Sequence, residues 1–274
     1  MSLLSSILYP APRLHESRLK NRFNGRWVVV TGASHGIGEA LVRRLMHCGA
    51  NLYLLARSEP ELQELCREAR AMGCRASYRC VDLRDRLALN SVCDDLAKTL
   101  PSVDFLFCNA GKSICRRLVD AADRLHDFDR TMDLNYRSMV ALSLALLPAL
   151  RRTGGQLVYT SSVSSLYPPA PKWSAYHASK CASNVWCRTA ACEWHSLGIG
   201  VHVAYLPLVR TPMSQVNPNY HALPAYSAHD AAGILLRLAL SNRFAYKPWW
   251  AWVTAPVASF LAPFVRFFYQ KAAR

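Results

Sequence analysis

The stretch Tyr176-His177-Ala178-Ser179-Lys180 combines residue types and a spacing that can do chemistry. Residues four apart lie on one face of a helix, so the Tyr176 phenol would sit over the Lys180 ammonium. A phenol with a pKa near ~10 is a poor acid-base group at neutral pH. A lysine charge a few ångströms away favours the phenolate and lowers that value, so the tyrosine can give or take a proton. Tyr-x-x-x-Lys also arises by chance on ordinary exposed helix faces. The pair gains meaning only if the rest of the chain builds a cofactor site and a substrate site around it.

The elements that would do so can be read in order. Residues 27–30 are an apolar, β-branched run, followed by Thr31-Gly32-Ala33-Ser34-His35-Gly36-Ile37-Gly38 and a helical pattern through Leu41, Leu45 and Cys48. In a strand–turn–helix context, glycines allow a tight turn and close backbone approach. The helix N-terminus then offers unpaired N–H groups to a pyrophosphate. Gly32, Ser34, His35, Gly36, Ile37 and Gly38 are therefore candidate dinucleotide contacts. A second strand over 51–55 ends in Ala56-Arg57-Ser58, where an acidic residue would normally hold a ribose 2′-hydroxyl. Arg57 instead suits a 2′-phosphate, with His35 as a second donor, so the expected cofactor is NADP(H).

Further along, helices over 60–72 and 86–100 alternate with strands over 76–81, ending at Asp82, and 103–108, ending in Asn109-Ala110-Gly111. A long helical stretch over 123–151 contains Asn135, which by itself reads as a polar surface residue. A strand over 156–160 runs into Ser161-Ser162-Val163-Ser164-Ser165; a strand over 201–206 and a helix over 230–240 follow. This alternation predicts an α/β fold with a doubly wound parallel sheet covered by helices on both faces. Ligands bind at the carboxyl ends of such strands, where Gly32, Arg57, Asp82 and Asn109 all fall. The serine loop leads into the helix of Tyr176 and Lys180, so one of its hydroxyls faces the same site.

Over roughly residues 25–240 the chain resembles the short-chain dehydrogenase/reductase family: Thr31–Gly38, Asp82, Asn109-Ala110-Gly111, Asn135, the serine loop and Tyr176/Lys180 occur in family order. The resemblance implies a single-domain Rossmann fold with a seven-stranded parallel sheet, often a homodimer or homotetramer. It implies that Tyr176 is the general acid-base, that Lys180 binds the nicotinamide ribose and lowers the tyrosine pKa, and that Asn135 holds a water in a proton relay. Ser162 is the best match for the serine that hydrogen-bonds the substrate oxygen, with Ser161 and Ser164 as alternatives. Asp82 would meet the adenine and Asn109 the adenine ribose region, with Leu83, Ala110 and Gly111 completing the set. Arg57 and His35 match the NADP-preferring pattern. The family usually reads Pro-Gly-x-Val-x-Thr after the sixth strand. Here Leu206-Pro207-Leu208-Val209-Arg210-Thr211 stands instead, without the glycine but with Val209 and Thr211 placed to hold the nicotinamide carboxamide.

The formal net charge of +15 points to an anionic partner: a phosphate-bearing cofactor, an acidic acyl carrier protein or an anionic membrane surface. No dense basic run with interleaved aromatics suggests nucleic acid. The ten cysteines form no Cys-x-x-Cys pair and no zinc-ligand spacing, so no metal site is expected, and with no cleavable signal peptide a reducing cytoplasm is expected. Three segments follow: an apolar and basic stretch over 1–26, a catalytic domain over 27–245, and a hydrophobic, basic tail over 246–274. The apolar run 3–9 is too short to span a bilayer and either docks on the domain or lies in a membrane interface. Pro248 to Val265 are eighteen uncharged residues flanked by Lys247 and Arg266, rich in Trp and Phe but interrupted by Pro256 and Pro263. This pattern predicts a membrane-surface or re-entrant segment, with a substrate lid, a dimer contact or a true span as alternatives. All of them give the site an apolar lip and a lipophilic substrate. Three functions are consistent: reduction of a lipid-like carbonyl or the reverse oxidation, reduction of 3-oxoacyl chains on a carrier protein, and an idle NADP-binding scaffold.

Overall fold

The computed structural model describes residues 7–272, so residues 3–6 of the apolar run lie outside the described ones. Seven strands, β1 (Trp27–Thr31), β2 (Asn51–Ala56), β3 (Ala76–Cys80), β4 (Phe105–Cys108), β5 (Gln156–Ser162), β6 (Gly200–Leu206) and β7 (Ala245–Tyr246), form one sheet in the order β3-β2-β1-β4-β5-β6-β7. Every adjacent pair is parallel. This is the Rossmann α/β arrangement, with the strand order reversing between β1 and β4.

Both faces of a parallel sheet are covered, so its central strands are apolar without interruption. In β1, alternate side chains serve opposite layers: Val28 and Val30 join one core, Val29 the other. The first layer holds helices Gly36–His47, Glu59–Ala71 and Ala228–Ala239; the second holds Arg86–Thr99, Ser138–Ala145, Leu147–Thr153 and Ser174–Glu193. The helix Glu16–Phe23 buries Leu19 and Phe23 in the first core, with the Phe23 ring 4.6 Å from that of Phe105.

Three features depart from the sequence reading. The stretch over 123–151 is not one helix but Leu125–Met132, a π-turn at Asp133–Arg137, then Ser138–Ala145 and Leu147–Thr153. The last break precedes Pro148, which cannot donate to the ladder of the preceding helix. Asn135, within the π-turn, is fully buried rather than a surface residue. The strand β7 has two residues, too few to show a period of two.

The β1–helix turn demonstrates why glycine is required there. Gly32 has φ +65°, and a Cβ on it would lie 2.9 Å from Ala110 Cα. A Cβ on Gly38 would lie 1.9 Å from the Gly32 carbonyl oxygen, a backbone atom that cannot step aside. Gly38→Ala is therefore expected to destabilise the fold by more than about 2 kcal/mol in urea unfolding. Wild-type stability would show that the helix does not pack this close to the turn.

Candidate active site

The cofactor end of the site is a backbone construction. Thr31, the last residue of β1, accepts the Asn109 and Ala110 N–H groups on its Oγ1 at 3.0 and 2.9 Å, which locks the β4 end onto the β1 end. Gly36 adopts φ +59°, and a Cβ there would lie 3.0 Å from Thr211 Cγ2, so Thr211 roofs the glycine turn. The N-cap residue of the following helix, His35, makes no side-chain cap bond to it. The first N–H groups thus face the crevice where the strand order reverses, and this cradle fits a dinucleotide. Ile37 packs partly against the first core and Leu83 is buried in the second, on the other face of the sheet, so Leu83 would serve a ligand through its backbone.

The charged residues here carry partners that sequence reasoning missed. Ser34 Oγ and His35 Nδ1 lie 2.9 Å apart, and His35 Nε2 is 3.6 Å from Glu61. Asp82 is held in a fork by Arg84, with Nη2 to Oδ2 at 2.5 Å, which keeps its carboxyl below the usual carboxylate range; Arg57 adds to the effect. Arg57 itself is exposed at the end of β2. Asn109 accepts from Thr160 Oγ1 at 3.3 Å, tying β4 to β5. The segment lacking the family glycine is stitched down by pairing of Val209 with Tyr226, and Thr211 starts a short helix through a reciprocal cap with Ser214.

The catalytic end is built on the helix Ser174–Glu193. Lys180 is 5% exposed, donates from Nζ to the Thr160 carbonyl at 2.8 Å, and lies 6.0 Å from the centroid of the Tyr176 ring. Burial pushes the Lys180 amine down to about 7. Burial also raises the phenol of Tyr176 above its ordinary value, an effect the Ser162 hydroxyl opposes. In the protein alone, burial disfavours charge on both groups.

The serine alternatives separate by their partners. Ser161 is buried and donates to Asn184 Oδ1 at 2.7 Å; Ser165 accepts from Asn184 Nδ2 at 2.8 Å. One amide therefore straps the loop to the catalytic helix. Ser162 and Ser164 remain half-buried with their hydroxyls 2.9 Å apart. Asn184 was legible in principle: Tyr176, Lys180 and Asn184 recur at a spacing of four on one helix face.

Asn135 Oδ1 accepts the Lys112 N–H at 2.8 Å, while its Nδ2 donates to the Lys112 carbonyl and to Ser179 Oγ, both at 2.9 Å. Its own carbonyl accepts from Ser183 Oγ at 3.0 Å. A Cβ on Gly111 would come within 3.3 Å of Asn135 Oδ1 and 3.6 Å of Lys180 Nζ, so the loop after β4 closes tightly on the site.

An aromatic wall that sequence reasoning also missed faces Tyr176. The Trp173 ring stands edge-on to Tyr176 at 6.1 Å and stacks on Tyr220 at 6.1 Å with a 12° tilt. Met213, Val216 and Leu223 are exposed on the segment between β6 and the helix Ala228–Ala239.

The buried amine has a thermodynamic signature. Its native value of about 7 lies below the ordinary lysine value of 10.5, so the unfolded chain binds the extra proton between the two. Stability attributable to Lys180 is whole above the unfolded value and lost as pH falls towards 7. Relative to Lys180→Met, the wild type should gain stability as pH rises through that window in urea titrations. A pH-independent difference would mean that the amine is not desolvated.

Comparisons with known proteins agree with this geometry. The family model described as short chain dehydrogenase matches residues 26–222. A fatty acyl-CoA reductase of Acinetobacter baylyi is 36% identical over 222 residues, covering 81% of this chain and 75% of that protein. A fatty acyl-CoA reductase of Mycobacterium tuberculosis is 34% identical over 209 residues, covering 76% and 71%. Among solved structures, a protein from Beutenbergia cavernae assigned as an NAD(P)-dependent gluconate 5-dehydrogenase, with NADP bound at low occupancy, superposes with a TM-score of 0.72 at 27% identity, covering 79% of this chain and 90% of that one. With the motifs, the sheet order and these matches in accord, the chain belongs to the short-chain dehydrogenase/reductase family of oxidoreductases.

Proposed function

We propose that this protein is an NADP(H)-dependent reductase of long-chain, lipid-like carbonyl compounds, working on the cytoplasmic face of a membrane. The observation that carries the reading is that Tyr176, with the Ser162 hydroxyl and Lys180 beside it, faces the aromatic pair of Trp173 and Tyr220. The names of the two fatty acyl-CoA reductases favour an acyl-type substrate, and the NADP in the Beutenbergia protein favours the phosphorylated cofactor. Arg57 and His35, with no acid at the end of β2, provide the cations for a 2′-phosphate.

When bound, the dinucleotide supplies the hydride that reduces the carbonyl carbon. The Tyr176 O–H gives its proton to the carbonyl oxygen, and the Ser162 hydroxyl donates a hydrogen bond to that same oxygen, so aldehyde or ketone becomes alcohol. An anionic or hydroxyl-bearing ligand near Lys180 Nζ restores the ammonium that burial weakens, and the charge then eases loss of the tyrosine proton. Asn135 acts as a positioning residue, because its side chain is committed to Lys112 and Ser179.

A second reading, reduction of 3-oxoacyl chains on an acidic carrier protein, draws on the net charge of +15 and on guanidiniums near the mouth. Arg116, Arg124 and Arg130 surround the buried carboxylate of Asp127 at 2.8, 3.4 and 3.9 Å, and the Arg116 backbone N–H donates to the Lys172 carbonyl beside Trp173. Turnover of a carrier-linked substrate that falls steeply with salt, while a free substrate is indifferent, would favour this reading.

Tyr176→Phe should lower turnover by roughly 10²–10⁴-fold with NADPH affinity nearly unchanged; retained turnover would remove Tyr176 from the chemistry. Arg57→Ala should cut the preference for NADPH over NADH by about tenfold or more, read from kcat/KM with each cofactor. NADPH oxidation measured with aldehydes of increasing chain length should quicken with length. A rate indifferent to length would reject the lipophilic substrate.

A further inference from the structure

The tail folds as two helices, Ala251–Phe260 and Ala262–Ala272, bent 78° to each other. No single helix among the described residues is long and apolar enough to cross a membrane. The first helix is apolar on all sides, yet of its side chains only Ala251 and Ala255 are buried. Trp252, Val253 and Val257 are exposed, and Phe260 is 85% exposed; Phe264, Phe267 and Phe268 follow on the second helix. A helix apolar all round belongs in a protein core or in lipid, and here the rest of the fold covers one narrow stripe of it.

The charge around this surface has one sign. From Ala231 to Arg274 the chain has six lysines and arginines and no acidic residue. Lys247 Nζ stands 4.7 Å over the Trp252 ring and Lys271 Nζ 5.3 Å over Phe267, so cations are interleaved with aromatics as at a headgroup layer. The described part of the N-terminal arm joins the same surface. Trp249 and Trp250 donate their indole N–H groups to the carbonyls of Ile7 and Leu8 at 2.9 and 3.2 Å, and Ile7 is exposed beside them. The first helix also touches the serine loop: Tyr167 Oη and Thr254 Oγ1 are 2.5 Å apart, and Tyr167 caps the turn Val163–Leu166 that follows Ser162.

We propose that the segment at Ile7 and Leu8 and the two C-terminal helices form one platform that inserts into the headgroup layer of an anionic bilayer and hands long-chain substrate from the leaflet to the Ser162–Tyr176 site. Helices of 10 and 11 residues are each about 15 Å long, half of the roughly 30 Å hydrocarbon thickness, which suits shallow insertion in one leaflet. A second copy of the chain is a poorer occupant, because a two-fold contact through this face would press like charges together. The delivery step rests on the proposed reductase function; the lipid binding does not.

The test uses full-length protein floated with vesicles of phosphatidylcholine alone or mixed with phosphatidylglycerol. The wild type should bind the mixed vesicles, and less so as salt rises. The double variant Phe260→Ser/Phe268→Ser should bind them on the order of a hundredfold more weakly while reducing a dispersed short-chain aldehyde at the wild-type rate. Thr254→Val should leave vesicle binding intact and raise KM several-fold for a vesicle-borne long-chain aldehyde only. Equal vesicle binding by wild type and the double variant would overturn the platform. So would a wild type that ignores both vesicles, together with a double variant of lower mass than the wild type by light scattering. Vesicle binding without reduction of any carbonyl would leave the platform standing and remove the reductase reading; reduction without vesicle binding would do the reverse.

Discussion

A single buried carboxamide, that of Asn135, ties together three pieces of chain that must agree before a proton can move. It is bonded to both backbone groups of Lys112 in the loop after β4 and to Ser179 on the catalytic helix, and its own backbone lies in the π-turn. A buried amide that lost these partners would leave several polar atoms unpaired, which is costly at low dielectric. The insertion of one residue in the π-turn gives the Asn135 carbonyl to Ser183 as well, so the two second-layer helices are joined through both side chain and backbone. π-turns cluster at functional sites, and here the distortion places Asn135 against Ser179, one residue before Lys180.

Much of the architecture was written in patterns that a chain can display locally. The Val28-Val29-Val30 run announced a strand covered on both faces, and Gly32 to Gly38 announced the turn after it, because a Cβ at Gly38 has nowhere to go. What stayed hidden depends on tertiary context. The break at Pro148 could be inferred from its missing N–H, but the π-turn could not, since its cause is the set of bonds that Asn135 makes to distant residues. The two-residue β7 exists because β6 offers it a partner.

The site shows the same division. Tyr176, Lys180 and the serine loop carry residue types that speak for themselves. Ser162 was the best match in the sequence, and the structure adds that the Asn184 amide engages the hydroxyls of Ser161 and Ser165 while leaving that of Ser162 to Ser164. The electrostatics were the least legible. Spacing alone suggested a lysine beside a tyrosine, but the sequence does not display that Lys180 is buried while Tyr176 stays partly open, or that burial pushes the amine down and the phenol up. Trp173 and Tyr220, 47 residues apart in the chain, could be recognised as one wall only after folding.

The two edges of the sheet differ from its interior in a way that bears on self-association. Exposed strand edges are templates for pairing with another chain, and proteins blunt them with charge, twist or shortness. At one edge, β3 presents Ser77, Arg79 and Cys80 to solvent, with Arg79 3.8 Å from Asp95. At the other, β7 ends after two residues, before it can offer a ladder. A chain with an apolar surface as large as its C-terminal helices would be prone to stack into fibrils if the sheet also invited a neighbour. Blunting both edges leaves the sheet without a template for pairing with a neighbour.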